Sequence, residues 1–286
     1  PDIQITGRGQ WAIGTSDAAY ELMANLNGQS FRDVYAIDTK TGRKTVVKKN
    51  LRWTNTASPD TTKYLYYENK HFHVFDVATG TTRNITEKVP TSFINIEDDH
   101  NVVDPPTQAM GWTSDNQYIL ISDRWDIWKV PVAANEAAVN LTVNGKRDSI
   151  RYQGRVPGIY QNERGIDLSK PQYFSVMGEW TKRAGYGILE PGKTGLKMLL
   201  WEDASITGLQ KAEKGETWLY RKETPTVAPQ VYVTDATLTA GRKIVDMAPE
   251  AESLAWSAGA QLIEFKNDKG ERLQASLYLP ANYEKG

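Results

Sequence analysis

Phe72-His73-Val74-Phe75-Asp76-Val77-Ala78-Thr79-Gly80-Thr81-Thr82-Arg83-Asn84-Ile85 reads as an aromatic-rich strand, an Asp, a short turn ending on Gly, and a Thr-rich return strand. Its aromatic and β-branched residues suit a pleated ribbon. Gly80 supplies the left-handed backbone that a tight turn requires. The same unit recurs at residues 33–48, around Asp38 to Gly42. A third copy runs from Trp125 to Pro131, turns through Ala133, Ala134 and Asn135, and returns at Ala138–Thr142. A fourth joins Gly185–Leu189 to Leu196–Leu200 through Pro191, Gly192 and Gly195, and a fifth joins Gln230–Asp235 to Arg242–Val245.

With Tyr35, Val74, Trp128, Gly187 and Tyr232 taken as equivalent, the copies are spaced by 39, 54, 59 and 45 residues. Another strand precedes several of the hairpins, each with its own entry corner. Ser58-Pro59-Asp60 leads into Lys63–Tyr67, and Trp112-Thr113-Ser114-Asp115 leads into Gln117–Ser122. An Asp at such a corner accepts backbone N–H groups, and a Trp beside it packs between neighbouring sheets. Ser58, Pro59, Asp60, Trp112, Asp115 and Trp128 are therefore expected to be structural blade residues. Three to four strands per unit of roughly 40–60 residues is the pattern of β-propeller blades. The expected class is all-β, with about five four-stranded blades. A β-sandwich is the other arrangement, and five recurrences fit it poorly.

Composition agrees. Nine Trp, fourteen Tyr and six Phe, with 22 Gly and 13 Pro as punctuation, suit half-buried pleated surfaces better than helices. The 286 residues carry 34 Lys+Arg against 35 Asp+Glu, with no basic run longer than two, which argues against nucleic acid or an anionic membrane as partner. Zero Cys excludes disulfides, thiolate zinc sites and Cys nucleophiles. No apolar run approaches the roughly 20 residues of a spanning helix. Pro1-Asp2-Ile3-Gln4 lacks a charged and then an apolar leader region, so either a signal peptide is absent or the chain is an internal piece of a longer one.

Helical signal is thin: Ala18, Ala19, Leu22, Met23 and Leu26 suggest one or two turns, or a loop, within 15–27. Polar stretches at 86–108 and 154–170 read as excursions between blades. Residues 261–266, a polar turn at 267–270, and residues 271–279 alternate strictly and form a further hairpin that ends at Pro280.

Phe265 to Gly286, a strand, a short polar turn, Leu277-Tyr278-Leu279-Pro280 and Asn282-Tyr283, resembles the entry into the α/β-hydrolase domain of the prolyl oligopeptidase family of serine peptidases. The corners at Ser58-Pro59-Asp60 and Gly111–Asp115, with Asp126–Val130 and Pro229–Asp235, look like blades of its dipeptidyl and acylaminoacyl peptidase-like branch. The resemblance covers residues 9–286. It implies a partial propeller at 1–258, one part of about seven or eight blades, and a hairpin and linker at 259–286 leading into a hydrolase domain absent from the chain. Gly-x-Ser-x-Gly, the strained turn that exposes the family's nucleophile, does not occur. Gly14-Thr15-Ser16-Asp17-Ala18 lacks the second Gly, and His71, His73 and His100 all lie too early for the order Ser, Asp, His. No catalytic residue is therefore expected here, and the substrate-binding residues stay unassigned.

The remaining constellations have plain readings. His71 and His73 share a strand face but have no third ligand nearby, and Glu97-Asp98-Asp99-His100-Asn101 lacks the spacing of a calcium loop. No metal or cofactor is expected. Asn84-Ile85-Thr86 and Asn140-Leu141-Thr142 fit a glycosylation sequon but occupy equivalent places in two blades, as a strand-end motif would. Arg147, Arg151, Arg155 and Arg164 read as a solvated basic stretch rather than a carboxylate clamp, and Glu250 and Glu252 as loop charges.

The leading expectation is a non-catalytic propeller that gates access of peptides to a serine peptidase domain, the fragment alone being inactive. Its partners would be peptides, through the missing domain, and copies of itself, through open blade edges. An extracytoplasmic place, periplasm or cell envelope, follows from the resemblance alone. The alternatives are a stand-alone binding propeller and a five-bladed glycoside hydrolase with carboxylates around its axis.

Overall fold

A computed structural model of the chain describes residues 2–4, 9–133 and 135–284, without the side chains of residues 2–4 and Glu252. The readings placed on Pro1, Ala134, Lys285, Gly286 and the Glu252 side chain lie outside the described residues.

The described residues form five four-stranded antiparallel sheets, each a meander in chain order, and one two-stranded ribbon. Blade 1 is β1 (Asp2–Gln4), β2 (Trp11–Ser16), β3 (Arg32–Asp38) and β4 (Lys44–Leu51). Blade 2 is β5 (Trp53–Ala57), β6 (Lys63–Glu68), β7 (His71–Asp76) and β8 (Thr81–Asn84). Blade 3 is β9 (Ala109–Trp112), β10 (Tyr118–Ser122), β11 (Ile127–Pro131) and β12 (Val139–Asn140). Blade 4 is β13 (Ile150–Arg155), β14 (Gln172–Gly178), β15 (Ala184–Leu189) and β16 (Lys197–Glu202). Blade 5 is β17 (Ser205–Lys211), β18 (Trp218–Thr224), β19 (Val227–Thr234) and β20 (Arg242–Asp246). The ribbon is β21 (Gly259–Lys266) with β22 (Arg272–Leu279). Tyr35, Val74, Trp128, Gly187 and Tyr232 all fall on the third strand of their blades. The fold is the all-β propeller type.

Two compact units divide the chain. One holds Pro1–Val143, Asn162–Pro171 and Glu190–Gly195, and so blades 1 to 3. The other holds Asn144–Gln161, Gln172–Leu189 and Leu196–Gly286, and so blades 4 and 5 with the ribbon.

In the first unit the packing follows from a period of two with both faces apolar. Along β6, Tyr64 and Tyr66 enter a core with Ile13, Val34, Ala36 and Leu51 of blade 1. Leu65 and Tyr67 point the other way, into a core with Trp112, Ile119, Ile121 and Val130 of blade 3. Blade 2 is thus buried on both faces, as a sheet stacked between two others must be. Each fully buried side chain of this size contributes about 1.5–3 kcal/mol. In the second unit Tyr173, Tyr186, Ile188 and Leu200 of blade 4 pack with Ile206, Leu209, Trp218 and Tyr220 of blade 5.

The hairpin turns are held by their Asp. Asp38 Oδ1 accepts the N–H groups of Lys40 and Thr41 at 2.9 Å, and Asp76 Oδ1 accepts that of Thr79 at 2.9 Å. Gly42 and Gly80 then close the turns at φ of 71° and 68°.

Two sequence expectations need correction or sharpening. The weak helical patch is a helix, α1 (Glu21–Asn27), but Leu22 is 74% exposed and Leu26 73%. Its apolar residues do not face a core. Tyr20 anchors its start through a 2.5 Å bond to Asp33. The 86–108 stretch does join blade 2 to blade 3, whereas 154–170 lies inside blade 4, between β13 and β14. The reason is that the apolar alternation of β13 is confined to Ile150 and Tyr152, with Arg151, Gln153 and Arg155 between and after them, so the segment reads as a polar stretch. Its later part, residues 162–171, belongs to the first unit, where Ile166 bonds Trp112 and Ser114 through its backbone.

Candidate functional site

The corner residues form a repeated clasp. Ser58 Oγ donates to Asp60 Oδ1 at 2.6 Å and accepts the Lys63 N–H at 3.0 Å. Thr113 Oγ1 does the same with Asp115 Oδ1 at 2.5 Å and the Tyr118 N–H at 3.0 Å. Pro59 is half-buried and fills the turn at the position Ser114 occupies in the next blade. Trp112 is buried, and its Nε1 donates to the Thr56 carbonyl at 3.1 Å, tying β9 to the blade before it. Trp128 is half-buried and donates from Nε1 to Asp123 Oδ2 at 2.8 Å.

Asp123 was not singled out in the sequence, yet it organises the turn between β10 and β11. Its Oδ1 accepts the N–H groups of Trp125 and Asp126, and its Oδ2 accepts Trp128 Nε1 and, at 2.9 Å, Thr91 Oγ1 from the 86–108 excursion. Next to it Arg124 holds a φ of 84° and lies 2.9 Å from Glu97 Oε1, so the turn grips the excursion twice. The Asp-x-x-Asp spacing of a side-chain-capped turn was the signal that could have found it.

The excursion closes one side of a cleft of about 330 Å³ lined by Trp53, Tyr67, Asn69, Lys70, Val103 and Asp104. Asn69 and Lys70 form the β6–β7 turn with φ of 51° and 71°. Lys70 Nζ lies 3.4 Å from Asp104 Oδ2, and Tyr67 donates its phenol to the Asp104 carbonyl at 3.1 Å. Burial, and then the nearby Asp104 charge, push the Tyr67 phenol up to about 12. The cleft offers an aromatic wall and one ion pair, and its lining contains no Ser, Thr or Cys.

The three imidazoles are spoken for differently. His71 Nδ1 is 3.2 Å from Thr86 Oγ1, the spacing of a base and a hydroxyl. Thr86 is buried, however, and its oxygen already accepts the Phe72 N–H at 3.0 Å, so it has no free approach to a substrate. His73 stacks on Tyr66 with centroids 5.3 Å apart, and burial lowers its pKa. His100 reaches Asp98 at 3.0 Å and Asp99 at 3.6 Å in an exposed loop. Among the described residues these last three are a group with ligand atoms within 4.8 Å of one another.

Asn84 and Asn140 each turn Oδ1 onto the two N–H groups that follow the strand, Thr86 and Glu87 in one case, Thr142 and Val143 in the other. Arg147 pairs with Asp148, Arg151 with Glu179, and Arg155 with Gln172, while Arg164 is exposed. Glu250 lies exposed on a 3-10 turn, Pro249–Ser253.

Solved structures similar to this chain include peptidases. A dipeptidyl aminopeptidase IV-like protein from Bacteroides ovatus superposes with a TM-score of 0.60 at 12% identity, over 89% of this chain and 38% of its own. A puromycin-hydrolysing peptidase from Mycobacterium tuberculosis superposes with a TM-score of 0.55 at 14% identity, over 96% of this chain and 42% of its own. The chain thus spans about two fifths of the length of each, and the likeness is one of fold, to the propeller region of such peptidases. No family model and no curated protein sequence matches it.

Proposed function

We propose that this chain is the non-catalytic propeller of a serine peptidase, gating the passage of peptides to an α/β-hydrolase domain that follows it. The observation that carries the reading is the β21–β22 ribbon. Residues Ile263, Phe265, Leu273 and Leu277 lie on one face of it and are all exposed, an apolar surface that a following domain would cover. The fold likeness to propeller regions of peptidases supports the same reading. Chemistry would rest with a Ser, His and Asp outside this chain, the Ser attacking the carbonyl and the His taking its proton. The propeller's part would be steric: blades buried on both faces are stiff, so folded chains are turned away while short or unfolded ones pass.

The coding sequence downstream of Gly286 tests the reading. A Gly-x-Ser-x-Gly elbow followed by Asp and then His is expected, and the longer product should label with a fluorophosphonate and cleave short peptides in preference to folded proteins. A stop soon after Gly286 would overturn it and leave a binding propeller. Labelling with equal cleavage of folded and short substrates would remove the gating role.

A further inference from the structure

The ribbon is nearly free of the blades. Along β21 and β22 only Gly259, Gln274 and Leu279 are partly shielded, and the other strand residues are exposed. Gln274 is the shielded residue in mid-strand, and there the ribbon is tied down. Its Nε2 donates to the Trp180 carbonyl at 2.8 Å, and to Glu264 Oε1, its cross-strand neighbour, at 3.1 Å. Arg272, on the same face, lays its guanidinium 4.0 Å from the centre of the Trp180 ring and pairs with Glu264.

Trp180 is a firm anchor, because the β14–β15 turn that carries it is fixed to its own blade. The Glu179 N–H donates to the Ser149 carbonyl at 2.8 Å, the Glu179 carboxylate takes Arg151, and the Lys182 N–H closes on the Gly178 carbonyl at 2.9 Å. On the ribbon side the tie is incomplete, since Gln274 Oε1 is buried with no hydrogen-bond partner among the described residues. An unpaired buried acceptor lowers the advantage of the docked state. A two-stranded ribbon has little stability of its own in water.

We propose that Trp180, Arg272 and Gln274 form a releasable latch, which docks the ribbon on blade 4 and sets the direction in which the chain leaves it. The latch holds by one ring face, one cation and one amide, and it opens without disturbing the blade beneath. If a hydrolase follows Leu279, as the preceding reading has it, opening the latch would widen the route between that domain and the propeller. This consequence rests on that reading, whereas the latch itself does not.

Hydrogen exchange of the full chain, followed by mass spectrometry, tests it. Arg272→Ala, and separately Trp180→Leu, should speed exchange of peptides covering residues 260–278 by about tenfold or more, with β14 and β15 keeping their protection. Arg242→Ala, an exposed charge on blade 5, should change neither. Unchanged exchange in both latch variants would overturn the proposal, as would a wild-type ribbon that already exchanges at free-peptide rates. Loss of protection throughout blade 4 in both variants would also overturn it, since the contact would then be part of the blade. A longer product without peptidase activity would overturn the functional reading and leave these exchange results standing.

Discussion

Thr142 Oγ1 donates a 2.5 Å hydrogen bond to Asp126 Oδ1, sixteen residues away, and accepts the Ile127 N–H at 3.0 Å. One hydroxyl, fully buried, joins the end of the fourth strand of blade 3 to the start of the third. Thr86 makes the same joint in blade 2 with the Phe72 N–H, and His71 stands there where Asp126 stands in blade 3. The two sequon-like triplets are therefore two copies of one device: Asn turns the chain and Thr fastens it.

Replacing Thr142 by Val keeps the shape and removes the hydroxyl, leaving the buried Ile127 N–H unpaired. We expect a loss of about 1–3 kcal/mol, read as a lower urea midpoint, and a similar loss for Thr86→Val. Thr142→Ser should stay close to wild type. A Val variant as stable as wild type would mean that another group satisfies the amide.

The corner clasp gives a prediction in both directions. Ser58→Ala strips the bonds to Asp60 and the Lys63 N–H, and should destabilise by about 1–2 kcal/mol. Blade 5 has a similar corner, with the Ala212 N–H donating to the Thr217 carbonyl at 2.8 Å, although Gly215 holds a φ of 120° where Thr61 and Asn116 hold 60°. It has Ala212 and Lys214 where the other two corners have the hydroxyl and the Asp. The double variant Ala212→Ser, Lys214→Asp should therefore gain about 0.5–1 kcal/mol in thermal unfolding, and a loss would show that the two corners differ in more than their side chains.

Asp38 provides the pH dependence. The Gln10 amide first, then the Thr41 and Lys40 N–H groups, hold its carboxylate down to about 2, against roughly 3.9 in an unfolded chain. A depressed folded value contributes stability above the unfolded one, and that contribution fades as pH falls from about 4 towards 2. Asp38→Asn keeps an acceptor for the turn and cannot titrate. The difference in urea midpoint between wild type and variant should shrink across that window; a constant difference would assign the acid sensitivity elsewhere.

Gly185 is the residue of blade 4 least able to carry a side chain. A Cβ there would stand 1.8 Å from the Leu200 carbonyl oxygen, on the neighbouring strand. Gly185→Ala should cost about 3 kcal/mol or more by forcing β15 and β16 apart. Gly187→Ala meets the end of the Leu196 side chain at 3.1 Å, which can move, and should cost less. Equal costs measured by thermal unfolding would contradict this ranking.

In blades 1 to 3 the hairpin of the third and fourth strands was legible from aromatic or β-branched strands and short turns, as at Asp38–Gly42 and Asp76–Gly80, and in blades 2 and 3 the strand before it was legible from its entry corner. Blade 4 was legible only in its second half. In β13 only Ile150 and Tyr152 alternate with polar residues before Gly154 and Arg155, and Tyr152 alone is buried, too short an apolar pattern to mark a strand beside Arg151 and Arg155.

What the sequence determined by itself is whatever depends on neighbours within a few residues: the strand periods, the turn chemistry, the recurrence of one unit and the absence of a serine elbow. The tertiary structure decided the pairings across long separations. It brings Thr91 and Glu97 to Asp123 and Arg124, Lys70 to Asp104, and Arg272 to a Trp 92 residues earlier. A charged or polar side chain carries no sign of its partner in its own stretch of chain. Which groups meet is set by the stacking of sheets that the apolar residues drive, and these contacts exist only once that stacking is complete.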